Sequence, residues 1–205
     1  ANVVILGPEI HDLSASAQDL ERLKSCGRAH SGHEISIMDD NAVEVPCREI
    51  GEICVRSDSV MVGYWRDPEN TAKVIRDGWL RTADMAYMDE ERYIFIVGRK
   101  NDMIKRGGEK IYPQEIEEVL FDHPAVLEAA VCGVADPDWG ESPRAYIVVR
   151  PGYQVSDKDL LAYCLDRLPT FKCPQDVVFL PELPKTSSGK ITRTGLQQLN
   201  VSSSN

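Results

Sequence analysis

Four short stretches of this chain gather residues that do chemistry. "KTSSGK", residues 185–190, packs two lysines, two serines, a threonine and a glycine into six positions. Loops of this composition are flexible and cationic, and meet phosphate; either Lys185 or Lys190 supplies the ammonium. The stretch is not a GxxxxGK[ST] phosphate loop, because Pro184 and Ile191 stand where that pattern needs Gly and Ser or Thr. On its own it reads as a surface turn with solvated lysines. "TAD", residues 82–84, offers Asp84, a carboxylate that on its own reads as a turn cap. "GRKND", residues 98–102, offers the planar, permanently charged fork of Arg99. "KRGGEK", residues 105–110, sets Gly107 and Gly108 between cations and on its own reads as a hairpin turn. "HSGH" places His30 and His33 three apart with no third ligand in view, so no metal site is expected.

These residues need elements to hold them. Residues 1–30 are weakly patterned, and "SASAQDLERLK" fits a short helix or a surface loop. From His33, "HEISIMDD" and "GEICVRS" alternate apolar and polar residues between turn signals, the grammar of antiparallel sheet. Asp67-Pro68 opens a short helix, and "GWLRTADMAYMDEERYIFIVGR" reads as strand, turn, strand. Residues 33–100 are therefore expected to form a small β-barrel or folded sheet. After Arg99, "DMIKRGGEKIYP" predicts a tight hairpin with the two glycines at its bend. Ile116, Val119 and Leu120 have the spacing of a helix face that starts at Pro113. "LEAAVCGVA", "RAYIVVR" and "DVVFL" read as strands, and "SDKDLLAYCLDRLP" as a helix with a Ser156–Asp159 capping box. That order predicts an α+β domain, a three-stranded sheet with helices on one face plus the hairpin. The tail from Val201 is expected to fray.

"GYW", "DGWLRTAD", "YIFIVGRKNDMIKRGGEKIYPQEIE" and "LPKTSSGK" occur in this order and at these separations. Together they closely resemble the C-terminal part of acyl-CoA synthetases and related AMP-forming, adenylate-forming enzymes. The resemblance runs from about Cys26 to about Asn200. It implies a division at residue 100. Residues 1–100 would be the C-terminal β-subdomain of a large AMP-binding domain, and 101–205 a small mobile C-terminal domain.

The same resemblance implies the roles. Asp84 stands where the family's aspartate accepts hydrogen bonds from both ribose hydroxyls of the adenylate, with Ala83 in place of the usual Gly. Arg99 matches the arginine on the ribose side of the nucleotide, and Asn101 the hinge. Lys190 matches the adenylation lysine, which leaves Lys185 outside the site. Lys105 would approach the adenylate when the hairpin is presented for the second step. Gly107, Gly108, Trp139, Phe171 and Lys172 resemble positions that meet CoA, although Cys173 and Gln175 replace basic residues of several relatives. ATP, CoA and a carboxylic acid are the implied substrates. Mg2+ is held mainly by an upstream AMP-binding domain that carries the phosphate loop and acyl pocket. The chain is accordingly read as an AMP-forming acid–thiol ligase fragment, inactive alone. Two alternatives stay open: an adenylation enzyme that loads a carrier protein, and a non-catalytic binding or regulatory module.

Composition narrows the rest. The chain has 205 residues, 42% hydrophobic and 27% charged, as a folded globular protein requires. Its net charge of −10 argues against non-specific nucleic-acid binding but not against small anions. The six cysteines form no CxxC pair and suit a reducing compartment. No apolar run approaches membrane-span length, and the N-terminus has no basic leader. A cytoplasmic protein is expected.

Overall fold

The structure, a computed structural model, describes residues 3–8 and 17–202. The chain divides into two compact units, Ala1–Lys100 and Asn101–Asn205.

The first unit is mostly antiparallel sheet. A ribbon pairs β1 (Val4–Ile5) with β2 (Arg28–Ala29), and between them lies the short helix α1 (Ala17–Arg22). Of the "SASAQDLERLK" segment, residues 14–16 lie outside the described ones. The main sheet takes β3 (Glu34–Met38), β4 (Gly51–Arg56), β5 (Ile75–Arg76), β6 (Trp79–Met88) and β7 (Ile94–Arg99). Its order is β3-β4-β6, and β5 and β7 share the far edge of β6. The sheet is open. A strand with neighbours along both edges and two short partners on one of them does not curl back to close a barrel, so the folded-sheet expectation describes it. Alternation explains the core: Ile35 and Ile37 of β3 meet Ile53 and Val55 of β4 and Ala86, Met88 and Ile94 of the next hairpin. Helix α2 (Pro68–Val74) starts as expected, with Pro at its first position and the Asp67 carboxylate accepting from the Asn70 N–H.

The second unit is α+β with a mixed sheet. Its strands are β8 (Ile104–Arg106), β9 (Glu109–Ile111), β10 (Val126–Asp136), β11 (Gly140–Val149) and β12 (Asp176–Phe179). The order is β10-β11-β8-β9, and β12 runs parallel to β11 after a crossover through α4 (Asp157–Leu165). The sheet thus has five strands rather than three, because the hairpin β8–β9 joins it where Arg106 pairs with Gly140. Ser156 and Asp159 form the capping box of α4.

Helices cover both faces of this sheet, not one. Ala129, Val131, Ala145 and Ile147 pack with Ile116 and Leu120 of α3 (Pro113–Phe121) and with Leu160 and Cys164 of α4. The intervening Ala130, Cys132, Tyr146 and Val148 point the other way and pack with Leu183 and with Leu196 of α5 (Arg193–Ser202). Strands buried on both faces read as continuous apolar runs, and "AAVC", residues 129–132, is such a run. Helix α5 was not expected from the sequence: its polar glutamines and threonine leave one buried leucine as the apolar signal. Residues 203–205 of the tail lie outside the described ones. No helix among the described residues is long and apolar enough to cross a membrane.

Candidate active site

In the first unit the candidate residues converge where the end of β7 meets the middle of β6. Asp84 and Arg99 are directly opposed in the β6–β7 ladder, and Arg99 Nε lies 2.7 Å from Asp84 Oδ1. The β4–β6 ladder shifts register here, so Thr82, Ala83 and Asp84 bulge out of the strand. Ala83 carries the bulge at φ 62°, the left-handed region that favours glycine. Side chains hold the kink. Thr82 Oγ1 donates to the Ile53 carbonyl at 2.9 Å and accepts from the Asp84 N–H at 3.1 Å. Glu52 Oε1 accepts from the Ala83 N–H at 3.0 Å.

Glu52 is a residue that the sequence did not single out. It is only 4% exposed. Its Oε2 also accepts from Arg81 Nε at 3.0 Å and Lys100 Nζ at 3.1 Å. Burial pushes its carboxyl up, and the hydrogen bonds from Lys100, the Ala83 N–H and Arg81 outweigh that, so it titrates below the usual carboxylate range. One buried carboxylate therefore fixes the bulge that aims Asp84 and also holds Lys100. Asn101 follows in a 3-10 turn, Lys100–Asp102, at the division between the units.

In the second unit the bend of the β8–β9 hairpin sits against Trp139. Gly107 (φ 56°) donates its N–H to the Trp139 carbonyl at 2.8 Å, and a Cβ there would lie 2.7 Å from the indole Cε3. Gly108 (φ 93°) faces open space. Trp139 is half exposed, its loop held by two N–H bonds to Asp136 Oδ1 at 3.0 Å. Arg106 lies 6.0 Å over the Trp139 ring and donates to the Phe171 carbonyl at 2.9 Å. The structure thus brings Gly107, Trp139 and Phe171 together, and adds Arg106, which the sequence reading passed over. Lys172 is committed elsewhere: its ammonium lies 2.8 and 2.7 Å from the two oxygens of Glu115. The Lys105 N–H is bonded to Glu141 at 2.7 Å, and its side chain is exposed.

The "KTSSGK" stretch is a closed loop. Lys185 and Ile191 bridge its ends, Thr186 N–H donates to the Lys190 carbonyl at 2.7 Å, and Gly189 N–H to the Thr186 carbonyl at 2.9 Å. The two lysines differ in their partners. Lys185 Nζ lies 2.7 Å from Glu128 Oε1. Lys190 is exposed and makes no ion pair among the described residues. An ammonium free of carboxylates among the described residues, at the base of a braced loop, is the one available to an anionic substrate. No three of His, Cys, Asp and Glu stand together as a metal site among the described residues.

Comparison with known proteins gives this geometry a context. The family described as AMP-binding enzyme C-terminal domain matches residues 115–190, and the family AMP-binding enzyme matches residues 9–65. A putative acyl-CoA ligase, YdaB of Bacillus subtilis, is 40% identical over 185 residues, 90% of this chain and 37% of that protein. The fatty acid–[acyl-carrier-protein] ligase ScoC of Streptomyces coeruleorubidus is 39% identical over 175 residues, 85% of this chain and 34% of its own length. Among solved structures, the o-succinylbenzoate CoA synthetase of Bacillus subtilis, in complex with its acyl-adenylate intermediate, superposes with a TM-score of 0.86. It is 37% identical, over 95% of this chain and 38% of that one. The chain spans little more than a third of the length of the relatives it matches.

Proposed function

We propose, from the premise that this chain belongs to the AMP-binding enzyme family, that it serves an AMP-forming ligase which activates a carboxylic acid with ATP and passes the acyl group to CoA. The observation that carries this reading is the superposition, over 95% of the chain, on an enzyme solved with its acyl-adenylate. In the first step the substrate carboxylate attacks the α-phosphorus of ATP and pyrophosphate leaves. Asp84 and Arg99 hold the ribose: a carboxylate accepts from both hydroxyls of a diol while the guanidinium, 2.7 Å away, orients it. Lys190 places its unpaired ammonium between carboxylate and α-phosphate, where negative charge builds in the transition state. Magnesium travels with the nucleotide and falls, with the acyl pocket, to the upstream AMP-binding part.

In the second step the thiol attacks the acyl carbonyl and AMP leaves. The hairpin serves this step. Gly108, open to solvent, lets a pantetheine arm run along the backbone, Lys105 lies beside that path, and Trp139 with Phe171 and Arg106 offers a face for the CoA nucleotide. Lys172 would contribute only by leaving Glu115. Asn101 is the pivot between the two arrangements. A carrier-protein thiol is the second reading, favoured by the likeness to ScoC.

The test is Lys190→Ala in the full-length enzyme. Adenylation, read by pyrophosphate exchange, should fall by about 10²–10³. Thioester formation from supplied acyl-AMP should be kept. Equal damage to both half-reactions would overturn the assignment.

A further inference from the structure

Three residues beyond Lys190, Arg193 begins α5 and is drawn into the body of the second unit. Its Nε lies 2.9 Å from Asp102 Oδ2. Its Nη1 lies 2.9 Å from Glu117 Oε1 and also donates to the Val131 carbonyl. Glu117 Oε1 accepts the Val131 N–H as well, at 2.8 Å. One guanidinium therefore ties together four pieces of chain: the turn that holds Asn101, helix α3, strand β10 and the root of the Lys190 loop. The other stem of that loop is pinned to the same strand, through Lys185 and Glu128. Between the stems, Thr192 N–H donates to the Pro184 carbonyl at 2.9 Å and Lys190 N–H to Thr186 Oγ1 at 3.2 Å. A cleft of about 260 Å³, lined by Asn101, Asp102, Glu141 and Arg193 among others, borders this junction.

The consequence is mechanical. A loop rich in Ser and Gly has little order of its own, and a catalytic ammonium must be held to a fraction of an ångström. Among the described residues the Lys190 ammonium has no partner to hold it, so its position is set by the stems of its loop. Arg193 follows directly on the second stem and bonds Asp102, the residue that follows Asn101.

We propose that Arg193 is a positioning residue for adenylation: through Asp102, Glu117 and Val131 it makes the segment after Asn101 and the Lys190 loop one rigid piece. This rests on the adenylation role of Lys190. Any rotation about Asn101 then carries Lys190 with it, with no slack in the loop. Lysine cannot replace Arg193, because one ammonium on a flexible stem cannot span both carboxylates and a carbonyl in a fixed plane.

Two measurements test this. On the 205-residue chain, amide hydrogen exchange at Gly189 and Lys190 is compared between the parent, Arg193→Met and the milder Asp102→Asn. Both variants should exchange these amides at least about tenfold faster, while the buried amides of β11 keep their protection. In the full-length enzyme, both variants should lower kcat for pyrophosphate exchange by about 10–100-fold, with KM for ATP changed less than about twofold. Thioester formation from acyl-AMP should persist. The double variant Arg193→Met/Lys190→Ala should be no slower than Lys190→Ala alone, because Arg193 acts through Lys190. Should Arg193→Met not fold, Asp102→Asn decides. Unchanged exchange at Gly189 and Lys190, or equal loss in both half-reactions, overturns the proposal. Failure of Lys190→Ala itself to slow adenylation would remove the underlying reading instead.

Discussion

Ala83 shows how one residue can carry a cost for the sake of its neighbour. Its φ of 62° is forced by the bulge that turns Asp84 toward Arg99, and Glu52 and Thr82 hold the backbone there. For an L-residue the left-handed region costs about 1–2 kcal/mol. Glycine avoids that cost but gives back about 0.5–1 kcal/mol in unfolded-state entropy. Ala83→Gly should therefore stabilise the first unit by roughly 0.5–1 kcal/mol. A rise in urea midpoint at constant slope would show it. A fall in midpoint would mean that the bulge is not strained at this position. The lysines make the complementary point. Lys185, Lys172 and Lys100 each have a carboxylate within 3.1 Å, and identical side chains are separated into structural and available ones by partners that lie far away in sequence.

At the scale of elements, the β8–β9 hairpin is where two demands meet. A two-glycine bend with both φ angles positive is what a tight hairpin requires. The bend also presses on Trp139, which rests on the loop between β10 and β11. The two glycines are not equivalent. Gly107→Ala should suffer both the left-handed backbone cost and a clash with the indole. Gly108→Ala should suffer the backbone cost alone, about 1–2 kcal/mol. The melting temperature of the second unit should fall further for Gly107→Ala. The fluorescence of Trp139, followed with Trp65 and Trp79 replaced by Phe, should shift only in that variant. Thioester formation, by contrast, should suffer in Gly108→Ala, since its new methyl projects into the open space proposed for pantetheine. Equal effects of the two substitutions on both readouts would dissolve this distinction.

For the whole molecule, the decisive quantity is length. The chain spans about 37% of a relative such as YdaB, and the proposed phosphate loop and acyl pocket belong to the part it does not span. The isolated 205-residue chain should therefore give no pyrophosphate exchange with any of a panel of carboxylates. Robust exchange would place the nucleotide site within these residues and refute the proposed division of labour. The same experiment bears on the non-catalytic alternative. A silent fragment that restores exchange when added to the upstream part is a piece of the enzyme; one that does not is a separate module.

What the sequence determined by itself was local. Turn glycines, the Asp67-Pro68 and Tyr112-Pro113 helix starts, the Ser156–Asp159 capping box and the strand alternation of β3 and β4 each depend on residues within a few positions of one another. Such features survive translation into structure because their energies are set within one turn or one hairpin. The motif residues were legible by wording, and the structure adds which neighbours they have. What only the tertiary structure decided was long-range. Glu52 meets Lys100 across 48 positions, Arg106 meets Phe171 across 65, and Arg193 meets Glu117 across 76. No periodicity or propensity marks such pairs, since each residue alone is an ordinary charged one. The second face of the β10–β11 sheet and its cover by α5 were hidden for the same reason. A strand buried on both sides carries no alternation to show that a further helix is needed, and only the packed sheet reveals it.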